Sequence, residues 1–184
     1  MIVNHQNEKL ANAIIYFVEN TKSCGKTKLF KLLYFLDFEH YSQTGRSVTG
    51  LDYYAWPKGP VPVRIFNEID SPSNELKDAI QVTKKQTFDG KSMNNIVPIK
   101  EFSSEHFSKR ELNLIKQLSE EYFDSYANDM IEATHLENQP WHQIYEIEES
   151  KQGLISYKLA LKKSEYEQII KNAIENDEFQ ENYK

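Results

Sequence analysis

The chain has 184 residues, of which 39% are apolar and 27% charged, with eleven tyrosines and ten phenylalanines. That length and balance suit one globular domain with its own core and exclude an intrinsically disordered chain. A formal net charge of −6 argues against sequence-independent nucleic-acid binding, which needs clustered Lys and Arg, and a single cysteine, Cys24, rules out an internal disulfide.

In chain order, the first element is polar. Met1–Lys9 lacks the apolar core of a signal peptide. Leu10, Ala13, Ile14, Phe17 and Val18 then recur at helical spacing and predict an amphipathic helix over residues 7–19. A second helix is predicted over residues 26–42. Its Leu29, Phe30, Leu32, Leu33, Tyr34, Phe35, Leu36 and Phe38 leave almost no polar face, so it is expected to be buried on most sides, with Gly45 stopping it. The longest apolar stretch, residues 29–38, is broken by Lys31 and Asp37 and is too short to span a bilayer, which makes the cytoplasm the expected location.

Leu51–Trp56 reads as a short aromatic strand, and Pro57-Lys58-Gly59-Pro60-Val61-Pro62 as a rigid turn after it. Pro60 is placed at the start of a short helix carrying Val63, Ile65, Phe66 and Ile69, and Ser71-Pro72 at the start of another. Residues 82–88 and 96–101 flank Asp89-Gly90 and predict a hairpin, with Pro98 on an edge strand. Ser108 with Glu111 is a capping-box pattern before Leu112, Ile115, Leu118 and Tyr122. Helices follow over residues 126–136, from Pro140, and from a second box at Ser164 and Glu167, whose stripe is Tyr166, Ile169, Ile170 and Ala173. The expected class is mainly α with a small sheet: a helical core around one buried helix and about three short strands, one domain over residues 1–184 with an acidic tail, 177–184, that frays.

Gly25-Lys26-Thr27 resembles the end of a phosphate-binding loop, but that mechanism needs a glycine where Asn20 stands and a strand before it. Asp37 and His40, three apart on one helix, have the spacing of metal ligands, yet no second ligand pair accompanies them. His135 and His142 flank a Pro-Trp dipeptide. As acid–base groups they would need a paired acid or nucleophile, and a structural histidine near a helix end is the simpler reading. No cofactor or metal is expected, and no catalytic residue is assigned. The most unusual stretch runs from Tyr53 to Val61. Tyr53, Tyr54 and Lys58 are its candidate partner-contact residues, on the reading that an exposed aromatic edge beside a helix N-terminus holds a partner's carboxylate.

Three pieces together resemble one family. Thr27-Lys28-Leu29-Phe30-Lys31-Leu32-Leu33-Tyr34-Phe35 is similar to its Lys-Leu-x-Lys-Leu-Leu-Tyr-Phe helix. Trp56-Pro57-Lys58-Gly59-Pro60-Val61 is similar to its Trp-x-x-Gly-Pro-Val turn, and Thr134-His135 with Pro140-Trp141 to its Thr-His…Pro-Trp segment. In this order they resemble the Panacea domain, or SocA-like domain, of phage-associated proteins, over roughly residues 8–150. The resemblance implies a bacterial or prophage antitoxin that neutralises, by direct binding, a toxin encoded by a neighbouring gene. It implies mainly structural roles for the motif residues. The alternatives are an adaptor that delivers a bound partner to a protease, and a hydrolase using Asp37, His40, His135 or His142.

Overall fold

A computed structural model describes residues 5–72, 74–86, 90, 92–136, 139–161 and 174. Helix α1 spans Gln6–Asn20 and buries Leu10, Ala13, Ile14 and Phe17 of the predicted stripe, with Val18 half-buried. Helix α2 spans Lys26–Thr44, and every residue from Lys28 to Phe38 is buried. Gly45 closes it in the left-handed region (φ 72°), its N–H donating to the Tyr41 carbonyl. Glycine adopts that conformation without the steric cost a side chain brings.

An unbroken buried run is possible because α2 is surrounded: α1, α5, α6, strand β2 (Gly59–Val61) and a 3₁₀ turn at Tyr157–Ala160 all pack against it. Here α5 is Lys109–Glu121 and α6 is Ala127–Thr134. The predicted cap of α5 is present. The Ser108 hydroxyl accepts from the Glu111 N–H and the Glu111 carboxylate accepts from the Ser108 N–H, which satisfies two donors that a helix start leaves open. Lys9 of α1 donates to the same carboxylate at 2.7 Å and ties the two helices together.

Among the described residues the β part comprises two antiparallel pairs. Strands β1 (Tyr54–Trp56) and β2 (Gly59–Val61) form a hairpin in the register Tyr54↔Val61, Ala55↔Pro60 and Trp56↔Gly59. The second pair is β3 (Ile80–Gln86) with β4 (Ser92–Pro98). Thus Gly59-Pro60-Val61, expected as turn, is strand, and the turn proper is Pro57-Lys58. A proline fits there because Pro60 stands opposite Ala55, whose own N–H and C=O turn to Gly153 and Gln152, so the Pro60 nitrogen faces away from β1 and no ladder bond is lost. Helix α3 begins at Val63 instead of Pro60, and α4 at Asn74, beyond the expected Ser71-Pro72 start. Helix α7, Pro140–His142, runs directly into a π-helical turn at Gln143–Ile147. The expected capping box at Ser164, its helix and the acidic tail lie outside the described residues.

Mainly helical with small antiparallel sheets, the architecture is the expected class. Among the described residues no helix is long and apolar enough to cross a membrane.

Candidate functional site: a clamped hairpin

Helix α2 carries two lysines one turn apart, Lys28 and Lys31, each 1% exposed. A buried ammonium needs acceptors for its N–H groups. Lys28 Nζ has three carbonyls: Lys22 at 2.9 Å, Phe123 at 3.1 Å and Ser125 at 2.8 Å. It thereby ties the α1–α2 loop to the segment joining α5 and α6. Burial pulls its pKa down, opposed by the thiol of Cys24 and the carboxylates of Asp124 and Asp129.

Lys31 Nζ reaches the Pro60 carbonyl at 2.7 Å and fastens the β1–β2 hairpin to α2. Burial pushes this amine down to about 7, so it is close to half neutral at neutral pH. Gly59 lies directly beside it with φ 92°. A Cβ there would sit 2.6 Å from Thr134 Oγ1 and 2.7 Å from Lys31 Nζ, so both the backbone angle and the close approach demand glycine. Thr134, fully buried, turns its hydroxyl back to the Ile131 carbonyl at 2.9 Å.

The third piece closes the clamp. Trp141 Nε1 donates to the Trp56 carbonyl at 2.9 Å, at the other end of the hairpin from Tyr54. The His135 ring stacks on Trp141 with centroids 3.8 Å apart and planes 4° from parallel, and Tyr145 stacks on Trp141's ring at 4.7 Å. Burial, with the Lys31 charge, holds the His135 imidazole below its usual pKa. The three sequence segments therefore converge on one short hairpin, although they lie up to about 110 residues apart in the chain.

What the clamp presents outward is the hairpin itself. Pro57 and Lys58 are exposed at the tip, and Tyr54 and Trp56, two apart and so on one face of the strand, are half-buried. Trp56 packs on Phe66 of α3 at 4.9 Å, and Lys26 Nζ lies 4.7 Å from the centre of the Phe66 ring. Tyr53 does not belong to this surface. Its expected partner-contact role is corrected: the residue is 1% exposed, and its hydroxyl donates to Asp37 Oδ2 at 2.7 Å.

Asp37 explains that burial. Its carboxylate, wholly inside, also accepts from the N–H groups of Val48 at 2.8 Å and Thr49 at 2.7 Å and from the Thr49 hydroxyl. Four donors around one carboxylate order the loop from α2 to β1. His40 Nδ1 meets the Arg46 carbonyl at 2.7 Å, a different partner. The contacts of Asp37, His40, His135 and His142 do not bring these side chains into one constellation, and the described residues include no group of three or more His, Cys, Asp or Glu placed to hold a metal. Burial pushes the Cys24 thiol up to about 11, which leaves it protonated and unreactive at neutral pH.

Sequence reading placed Phe66 on a helix but not against the hairpin, and it gave Leu154 no place. Leu154 bridges to Tyr54 as an extra extended segment beside β1, and no periodicity marks so short a pairing. Neither a curated protein nor a solved structure matches the chain. The family model for the antitoxin SocA-like Panacea domain matches residues 29–142, a span holding all three convergent segments apart from the first two residues of the α2 motif. The chain belongs to the antitoxin SocA-like, Panacea-domain family.

Proposed function

We propose that this chain is the antitoxin of a bacterial or prophage toxin–antitoxin pair, acting as one unit over residues 1–184 in the cytoplasm, and that it neutralises a cognate protein toxin by direct binding. Family membership supports the antitoxin role in general. The observation that carries the binding mechanism is the direction of the clamp. Its polar groups, Lys28, Lys31, Thr134 and the Trp141 indole, are spent on internal carbonyls, and what faces outward is a rigid hairpin, with Lys58 exposed at its tip and the half-buried Tyr54 and Trp56 along β1. A pre-ordered aromatic surface beside a cation loses little entropy on docking and suits a hot spot. An interface of roughly 800 Å² per partner fits on a domain of this size.

The test is co-purification of the tagged chain with the product of the neighbouring gene. We expect a stable complex of fixed stoichiometry, weakened at least tenfold by the double substitution Tyr54→Ser with Lys58→Glu. Absence of a complex with the unaltered chain would count against direct neutralisation. A ternary complex with a protease, with loss of the neighbour in cells, would shift the reading to an adaptor.

A further inference from the structure

The groove on the far side of Tyr54 carries a second binding feature. The segment Gln152–Ile155 runs antiparallel to β1: Gln152 N–H donates to the Ala55 carbonyl at 2.8 Å, Ala55 N–H to Gly153 at 2.9 Å, and Ile155 N–H to Tyr53 at 2.8 Å. These bonds flank the Tyr54↔Leu154 pair, so Leu154 turns its own N–H and C=O away from β1. Among the described residues neither group has a hydrogen-bond partner, and the Leu154 side chain is 53% exposed. Ser156, two residues on, is extended (φ −68°, ψ 132°), and strand alternation carries its N–H to the same side. This is an open sheet edge.

Leu154, Ile155 and Ser156 also line a groove of about 1130 Å³, larger than a small-molecule pocket needs. Its walls carry Lys9, Arg110 and Lys158 against Asp52 and Glu111. Lys9 and Glu111 are paired with each other, and among the described residues Arg110 meets only the neutral amide of Gln43, at 3.3 Å. The groove thus leans positive in a chain of net charge −6.

We infer that this groove takes an extended, carboxylate-bearing segment of a partner protein, which adds as a strand along Leu154–Ser156. Main-chain bonds to the edge would supply affinity, and the cations would select acidic side chains at alternate positions. The inference names the chemistry of the toxin's docking segment, and for that identity it rests on the antitoxin reading. The binding itself stands apart from it.

The probe is a labelled decapeptide of alternating Glu and Val, titrated against the full chain by fluorescence anisotropy, with an alternating Lys and Val peptide as control. The acidic peptide should bind and the basic one should not. Raising salt from about 0.05 M to 0.5 M should weaken binding roughly tenfold, as should Arg110→Glu with Lys158→Glu, while Lys85→Glu, exposed on β3 and outside the groove, leaves it unchanged. Backbone hydrogen exchange on the same complex should slow at Leu154 and Ser156. No binding at low salt, equal binding of both peptides, or binding without that protection would overturn the inference. So would protection of Leu154 already in the free protein, whether from this chain's own acidic C-terminal residues or from a second copy revealed by a dimer on sizing. If the neighbouring gene product binds and the peptide does not, only this inference falls; if the peptide binds and the neighbour does not, the antitoxin reading falls instead.

Discussion

Replacing Lys31 with methionine should flatten the dependence of stability on pH between about pH 7 and pH 9. In the unfolded chain a lysine titrates near 10.4, whereas burial brings the folded amine down to about 7. Between these values the unfolded chain holds the proton and the folded one does not, so the wild type gains stability as pH rises. Below about 7 both states are charged, and the fold bears the full cost of burying the ammonium. Each pH unit over which only the unfolded chain is protonated adds about 1.4 kcal/mol, and a folded amine already half neutral at pH 7 leaves a gain of about 2 kcal/mol by pH 9. Methionine keeps the length and removes the titration. At neutral pH the substitution leaves the Pro60 carbonyl without its donor, at a cost of about 1–3 kcal/mol, offset by relief of the buried charge. The diagnostic is therefore the slope and not the offset. Urea unfolding across this pH range, followed by the fluorescence of Trp56 and Trp141, reads it directly. Taking the difference between the two proteins cancels Cys24 and every other group they share. Parallel curves would refute the reasoning, since they would mean an amine that titrates as if solvated.

Other expectations follow from the same contacts. Gly59→Ala meets both a forbidden φ and two atoms under 3 Å, so it should destabilise the chain by about 2 kcal/mol or more in chemical denaturation. Asp37→Ala strands four buried donors and should cost about 3 kcal/mol or more, with faster hydrogen exchange at Val48 and Thr49. Glu39, pushed up to about 7 by burial and by the Glu121 charge, holds a proton in the fold that the unfolded chain has already lost. Stability from this group should therefore fall as pH rises from about 4.5 to 7, and Glu39→Gln should remove that fall.

Much of the fold was legible because a few signals were local. The apolar run of α2, interrupted only by Lys31 and Asp37, leaves almost no polar face and so belongs to a surrounded helix, and Gly45 and the Ser108–Glu111 box mark helix ends by chemistry within one turn. Gly59–Val61 was misread because glycine and proline in succession signal a turn, and only pairing with Tyr54–Trp56 makes them a strand. Tyr53 was misplaced for a related reason. Its sequence neighbours suggest a surface aromatic, but a carboxylate sixteen residues earlier draws its hydroxyl into the core. The clamp was legible as three segments and not as one object. Lys28 and Lys31 look like polar breaks in an apolar helix until their acceptors, up to 97 residues distant, are placed against them. The open edge at Leu154 has no sequence signal, because it depends on where β1 ends and the chain returns.

The central claim is that this chain protects a cell by holding a toxin through the clamped hairpin. The most direct measurement is growth of bacteria expressing the neighbouring gene product alone, with the unaltered chain, and with the Tyr54→Ser, Lys58→Glu variant. The account predicts arrest, rescue and renewed arrest in that order, with the variant as stable as the unaltered chain. Growth in the first condition, or full rescue by the variant, would contradict it.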